Sequence, residues 1–268
     1  MADLKTWLDQ LYARFNDRRF VPPDPLASLY RFEDVRDREI AGLLAAGLAY
    51  GNVKSIVTSV ERLLARLGSS PRKFVEETEP RDLAKRIGEF RHRWTTADEV
   101  ANLLAAVRVV CARHGSLGAA LRAKIQPDDE DIQRALTLLH EELCAAKLDR
   151  ANSLLADPAK GSASKRTHLF LRWMVRCDAV DPGGWKIPPR LLLVPVDVHI
   201  HRIAKILRLT RRRAADLLAA REITAGFRKF SPDDPVKYDV ALTRLPLHEN
   251  VRGAELAALV RVARGKFQ

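Results

Sequence analysis

The apolar residues of this chain recur at helical spacing almost from end to end, and that period limits the fold more than any other feature. Val53, Ile56, Val57, Val60, Leu63, Leu64 and Leu67 follow i, i+3, i+4, i+7 order and form a stripe that must be buried. Val100, Leu103, Leu104, Val107, Val110 and Cys111 repeat the pattern behind an N-cap in Thr95, Thr96 or Asp98. Ile132, Leu136, Leu139, Leu143 and Cys144 form a third stripe. The same reading predicts helices over 2–16, 35–50, 71–77, 80–88, 115–124, 163–176, 198–208, 211–229, 235–246 and 252–263. Proline and glycine mark the gaps, among them Gly68, Pro71, Gly115, Pro127, Pro158 and Pro182-Gly183-Gly184. The one strand-like run, 191–198, alternates poorly and contains Pro195, so it reads as a buried extended linker. An all-α fold is expected. A chain of 268 residues, 47% of them hydrophobic, can bury one large core or two intimate ones.

Charge divides this chain. Residues 1–159 hold 24 basic and 24 acidic side chains, whereas residues 160–268 hold 22 and 10, which is the whole net charge of +12. A basic half suggests a polyanion partner, since each Lys or Arg that displaces a phosphate counterion strengthens binding. The plainer alternative is an arginine-rich solvated surface. Cys111, Cys144 and Cys177 are widely separated, unlike the close thiolates of zinc and iron–sulfur sites. Their odd number, without a signal sequence, points to a reducing cytoplasm. No apolar run approaches the roughly 20 residues needed to span a bilayer.

Two segments carry candidate chemistry. In the first, Gly161-Ser162-Ala163-Ser164 is a small-residue turn, and Lys165 opens the helix that follows. Backbone N–H groups at such a turn can seat a phosphate, with Lys160, Lys165 and Arg166 around it. An ordinary helix N-terminus with solvated lysines explains the same residues. In the second, Asp197 stands just before a helix starting near Val198, where a carboxylate is an N-cap by default.

Taken together, the two segments resemble the helix-hairpin-helix DNA glycosylase superfamily. There the hairpin reads G-x-G-x-K and the aspartate lies in V-D-T-H. Here the corresponding residues are Gly161-Ser162-Ala163-Ser164-Lys165, with Ala163 replacing the second glycine, and Val196-Asp197-Val198-His199. The long linker between Lys165 and Asp197 resembles that of the archaeal 8-oxoguanine glycosylase branch. LAYGNVKSI (48–56), KGSASKR (160–166), FLRWMVR (170–176), VDVHIHRIAK (196–205) and PVKYDVALTRL (235–245) are also similar to an uncharacterised bacterial family related to these enzymes.

The resemblance implies a two-lobed all-α fold with the active cleft between lobes. Residues 36–160 would form one lobe, and 1–35 plus 161–268 the other, which carries the hairpin. It implies base-excision repair of duplex DNA by a monomer in the cytoplasm, at the nucleoid, without a metal or other cofactor. Lys165 would attack the sugar C1′ of a flipped nucleotide, and Asp197 would help deprotonate it and stabilise charge on the sugar. An oxidised purine such as 8-oxoguanine is the implied lesion, although Leu169 stands where the archaeal enzymes offer an aromatic. A lysine nucleophile must be deprotonated, so its surroundings must favour the free amine; Lys160 and Arg166 can contribute. The implied DNA contacts are Lys160, Gly161, Ser162, Ala163, Ser164, Arg166 and Arg202. Those to the base or the gap it leaves are Asp239, Asn52, His199 and Trp173.

Three of these residues also have a plainer explanation. Asp239 can pair with Arg244 or Arg202, Trp173 and the neighbouring Trp185 can be core, and His199 can cap or fill the core. Two rival functions remain: a non-catalytic helix-hairpin-helix DNA-binding protein, and a metal-dependent hydrolase using Asp197, His199 and His201. The hydrolase needs an extended chain, because residues i and i+2 diverge on a helix.

Overall fold

The computed structural model describes residues 2–248 together with Glu255, Ala257, Ala258 and Val260. Twelve α-helices are assigned among the described residues. They are α1 (Ala2–Phe15), α2 (Val35–Gly47), α3 (Val53–Leu67), α4 (Pro71–Glu77), α5 (Leu83–Ile87), α6 (Ala97–His114), α7 (Leu117–Arg122), α8 (Gln133–Ala145), α9 (Lys165–Val175), α10 (Val198–Ile206), α11 (Leu217–Arg228) and α12 (Asp239–His248). Most of the expected helix over 252–263 lies outside the described residues; the four described there are helical.

Local chemistry sets most boundaries. Thr96 closes a capping box, accepting the Glu99 N–H while the Glu99 carboxylate accepts the Thr96 N–H. Pro71 occupies the first turn of α4, where its missing N–H costs nothing. The expected 211–229 helix starts only at Leu217. Asp216 is tied to Ser162 in a β-bridge, and its carboxylate caps α11 through the Ala219 N–H at 2.8 Å. The expected 80–88 helix is a 3-10 turn, Pro80–Asp82, followed by α5. A two-stranded hairpin, β1 (Arg91–His92) with β2 (Thr95–Thr96), was not foreseen, because strands of two residues carry no readable period. Leu192, Leu193, Val194 and Val196 are buried in irregular chain, as expected for the linker.

Helix α2 runs through the core and packs along α9. Gly42 allows that approach: a Cβ there would lie 3.2 Å from side chains of both Leu29 and Phe170. Buried Glu39 ties α2 to α7, accepting N–H groups from Leu117, Gly118 and the Trp185 indole. One continuous core takes in Leu44, Leu103 and Leu139 from the 36–160 segment and Leu8, Leu171, Ile203 and Ile223 from the rest. Among the described residues, no helix is long and apolar enough to cross a membrane.

Candidate active site

Pro158–Lys160 makes a single 3-10 turn whose N-cap, Asp157, accepts the Ala159 N–H at 3.0 Å. Gly161 then takes φ +71°, which ends that turn. Nothing lies within 4 Å of a Cβ built on Gly161, so its backbone angle rather than space demands glycine. The Gly161 carbonyl accepts the Leu217 N–H at 3.0 Å, which docks the turn on α11. Ser164, with φ +40°, leads into α9 without a side-chain cap. The expected hairpin therefore has a full helix only downstream; upstream, Pro158 and Gly161 leave room for one 3-10 turn. Ala163 faces the core, so its methyl does not obstruct the outer surface of the turn. Ser162 and Ser164 bond each other at 3.1 Å, and Lys160, Gly161 and Ser162 are exposed.

Lys165 and Asp197, far apart in sequence, meet here. Lys165 Nζ lies 3.0 Å from Asp197 Oδ2, with side chains 38% and 23% exposed, so both groups are reached by solvent. Asp197 Oδ1 meanwhile accepts the His199 and Ile200 N–H groups, each at 2.9 Å, and caps α10. Burial works to raise the Asp197 pKa, but the Lys165 charge and the Ile200 N–H outweigh it and hold the carboxyl below its ordinary value. An ionised carboxylate thus sits against the Lys165 amine.

Asp239 stands at the start of α12, close enough that the charges of Asp197 and Lys165 both act on it. It is buried and bonded to Arg172, not to Arg244 or Arg202. Arg172 Nε also reaches Asp181 at 3.2 Å. Arg176 extends the network to Asp181, to Asp234 at 2.9 Å and to Asp178 at 2.8 Å. Burial pushes the Asp239 carboxyl upward, against the Arg172 charge.

The remaining expected residues separate into surface and interior. Arg202 and His199 are exposed on α10 beside Val198. Arg166 is turned inward: it donates to the Gly47 carbonyl at the end of α2, and its guanidinium lies 5.1 Å from the Tyr50 ring centre. Arg166 therefore joins α9 to α2 instead of projecting toward solvent. Trp173 is 0% exposed, a core residue in this conformation and not a surface for stacking; Trp185 is also buried. Asn52 is exposed, but its carbonyl oxygen caps α3 through the Lys54 and Ser55 N–H groups. Asp197, His199 and His201 do not converge, because α10 is helical from Val198 and His201 points into the interior. Among the described residues, no group of three His, Cys, Asp or Glu side chains is placed to hold a metal ion.

A family model described as a protein of unknown function, DUF2400, matches residues 24–248. The chain belongs to the DUF2400 family. No curated protein and no solved structure matches it. The DUF2400 match begins after α1 and takes in Asn52, Lys165, Asp197 and Asp239, so all the candidate residues lie within the family region. Two features escaped the sequence reading. Arg172 had a usable signal, since an arginine inside the apolar run of α9 must find buried partners. The other is a surface stack of Tyr50 and Trp94, for which neighbouring residues give no hint.

Proposed function

We propose that this DUF2400 protein is a DNA glycosylase with AP lyase activity, acting on an oxidised purine such as 8-oxoguanine. The observation that carries the reading is the accessible Lys165 amine 3.0 Å from the ionised Asp197. The two groups come from separate segments and meet beside an exposed glycine turn, in the part of the chain that holds all the net positive charge.

In this reading the duplex lies along the turn at 160–164 and the exposed Arg202, in a cleft between two helical lobes. The damaged nucleotide is extruded toward Lys165. Asp197 takes a proton from the lysine, whose lone pair forms a bond to C1′. The glycosidic bond breaks, and the base leaves with that bond's electron pair and the proton that Asp197 took. The bound amine then passes a second proton through Asp197 to O4′ as the C1′–O4′ bond opens, which leaves a protonated imine between Lys165 and C1′. Loss of a C2′ proton then expels the 3′ phosphate by β-elimination. Contact of Asp239 with the base requires its Arg172 bond to open.

The test is borohydride trapping on duplexes containing an abasic site or 8-oxoguanine. Wild type should be trapped covalently, and Lys165→Gln should abolish trapping. Binding without trapping or cleavage across a lesion panel would refute the chemistry. That outcome would favour the non-catalytic DNA-binding reading, which draws support from the second duty of Asp197 as a helix cap. Affinity should fall steeply between low and physiological salt, because phosphate contacts release counterions.

A further inference from the structure

Trp94 is 55% exposed, although a large aromatic ring in water forgoes the gain of burial. It occupies the tip of the β1–β2 hairpin, whose two-residue turn is Arg93-Trp94. Arg93 takes φ +54°, a region where glycine or asparagine is the usual turn residue and any other side chain is strained. The hairpin thus accepts strain in order to hold Arg93 and Trp94 outward. Its base is rigid. The Tyr50 hydroxyl donates to the His92 carbonyl at 2.9 Å and meets Thr95 Oγ1 at 2.6 Å, while the His92 ring bonds Ser59 and the Tyr50 carbonyl. Trp94 stacks on this anchored Tyr50 with ring centres 4.6 Å apart and planes 16° from parallel. The Arg93 guanidinium lies 4.9 Å from the Trp94 ring centre.

One residue links the stack to Lys165. Arg166, the residue after Lys165, lies over the same Tyr50 ring. An exposed π surface, a fixed support and a neighbouring cation suit one ligand chemistry: a planar heteroaromatic ring attached to an anionic backbone.

We propose that Trp94, supported by Tyr50, is a stacking platform for an unstacked nucleobase of the bound DNA, with Arg93 supplying the charge for the adjacent phosphate. The platform rests on the DNA-binding reading above. It adds a second point of engagement that recognises a break in base stacking, whatever the lesion. Stacking on an aromatic side chain is tolerant of sequence, so the platform should not discriminate among the four bases.

The test uses the full chain and two duplexes of identical sequence, one fully paired and one with an abasic site opposite 2-aminopurine. Wild type should bind the abasic duplex more tightly and quench the 2-aminopurine. Trp94→Ala should lose about 5- to 150-fold in affinity for the abasic duplex, the range for removing one base–aromatic stack. It should leave the probe bright and bind the paired duplex as wild type does. Trp94→Leu, which preserves an apolar contact with Tyr50 but offers no π face, should behave like Trp94→Ala and guards against a folding artefact. Unchanged affinity and unchanged quenching in both variants overturn the platform and leave DNA binding intact. A wild type that binds neither duplex at low salt overturns DNA binding and the platform with it. Dissociation of a Trp94-dependent dimer, with DNA binding unaltered, overturns the platform in favour of a protein contact.

Discussion

Asp197 holds a helix end and faces an amine through different oxygens, so two substitutions should separate the two roles. Asp197→Asn retains an acceptor for the His199 and Ile200 N–H groups but loses the negative charge beside Lys165. Asp197→Ala loses both. Removing an N-cap costs about 1 kcal/mol. The ion pair adds less than about 1 kcal/mol, because water reaches both partners. Asp197→Ala should therefore melt roughly 2–8 °C below wild type, at about 2–4 °C per kcal/mol for a chain of this size, with Asp197→Asn between them. Chemistry should follow a different order. Both variants should lose about 100- to 10,000-fold in trapping rate on an abasic duplex, the usual contribution of a positioned base. Calorimetry and single-turnover trapping on the same preparations provide the two readouts. Equal melting of the two variants would refute the capping argument. Wild-type trapping by Asp197→Asn would refute the carboxylate's part in the reaction. The pH dependence has a definite sign: a depressed carboxyl pKa stabilises the fold above its ordinary value, and that contribution disappears as pH falls through the folded value, below about 4.

Other substitutions probe the frame around the site. The His168 imidazole is fully buried without a hydrogen-bond partner, and burial lowers its pKa to about 4. The unfolded chain binds the proton first, so stability should decline as pH falls from about 6.5 to 4, and His168→Met should flatten that decline in denaturant titrations across the window. Arg172→Met leaves buried Asp239 without its guanidinium and should cost about 3–5 kcal/mol, with Asp239→Asn added to the variant recovering part of the loss. Chemical denaturation would refute this if Arg172→Met unfolded with the wild-type midpoint. Gly161→Ala meets no steric obstacle but must hold φ +71°, so it should destabilise by about 1 kcal/mol; an unchanged melting temperature would show that the turn relaxes freely. Arg202→Ala should reduce the slope of log affinity against log salt by about 0.9 on duplex DNA, and an unaltered slope would remove Arg202 from the phosphate contacts.

Helix positions were legible because their causes are local. The stripe from Ile56 to Leu67, Pro71 in the first turn of α4 and the Thr96 cap each act within a few residues, and the structure uses them, whereas Val53, expected in the same stripe, stays 46% exposed at the start of α3. Lys165 and Asp197 were legible as a pair only through a motif resemblance. Their spacing along the chain contains no information that they meet, whereas the fold brings them to 3.0 Å. Partner choice in the interior was not legible. Asp239 had Arg244 and Arg202 as candidate partners; instead Arg244 bonds Asp24 at 2.8 Å, Arg202 stays in water and Arg172 takes the carboxylate. Trp173 and Lys165 belong to one helix, yet packing of α2 along α9 leaves the first sealed in the core while the second, at the start of the helix, stays open. The β1–β2 hairpin and its Trp94 also depend on where Tyr50 is held. Periodicity, caps and charge tell each segment which face to bury and where to stop, because those forces act over one or two turns. Which buried charge meets which, and which aromatic remains outside, follows from the crossing of helices distant in sequence, and that is settled only when the whole core closes.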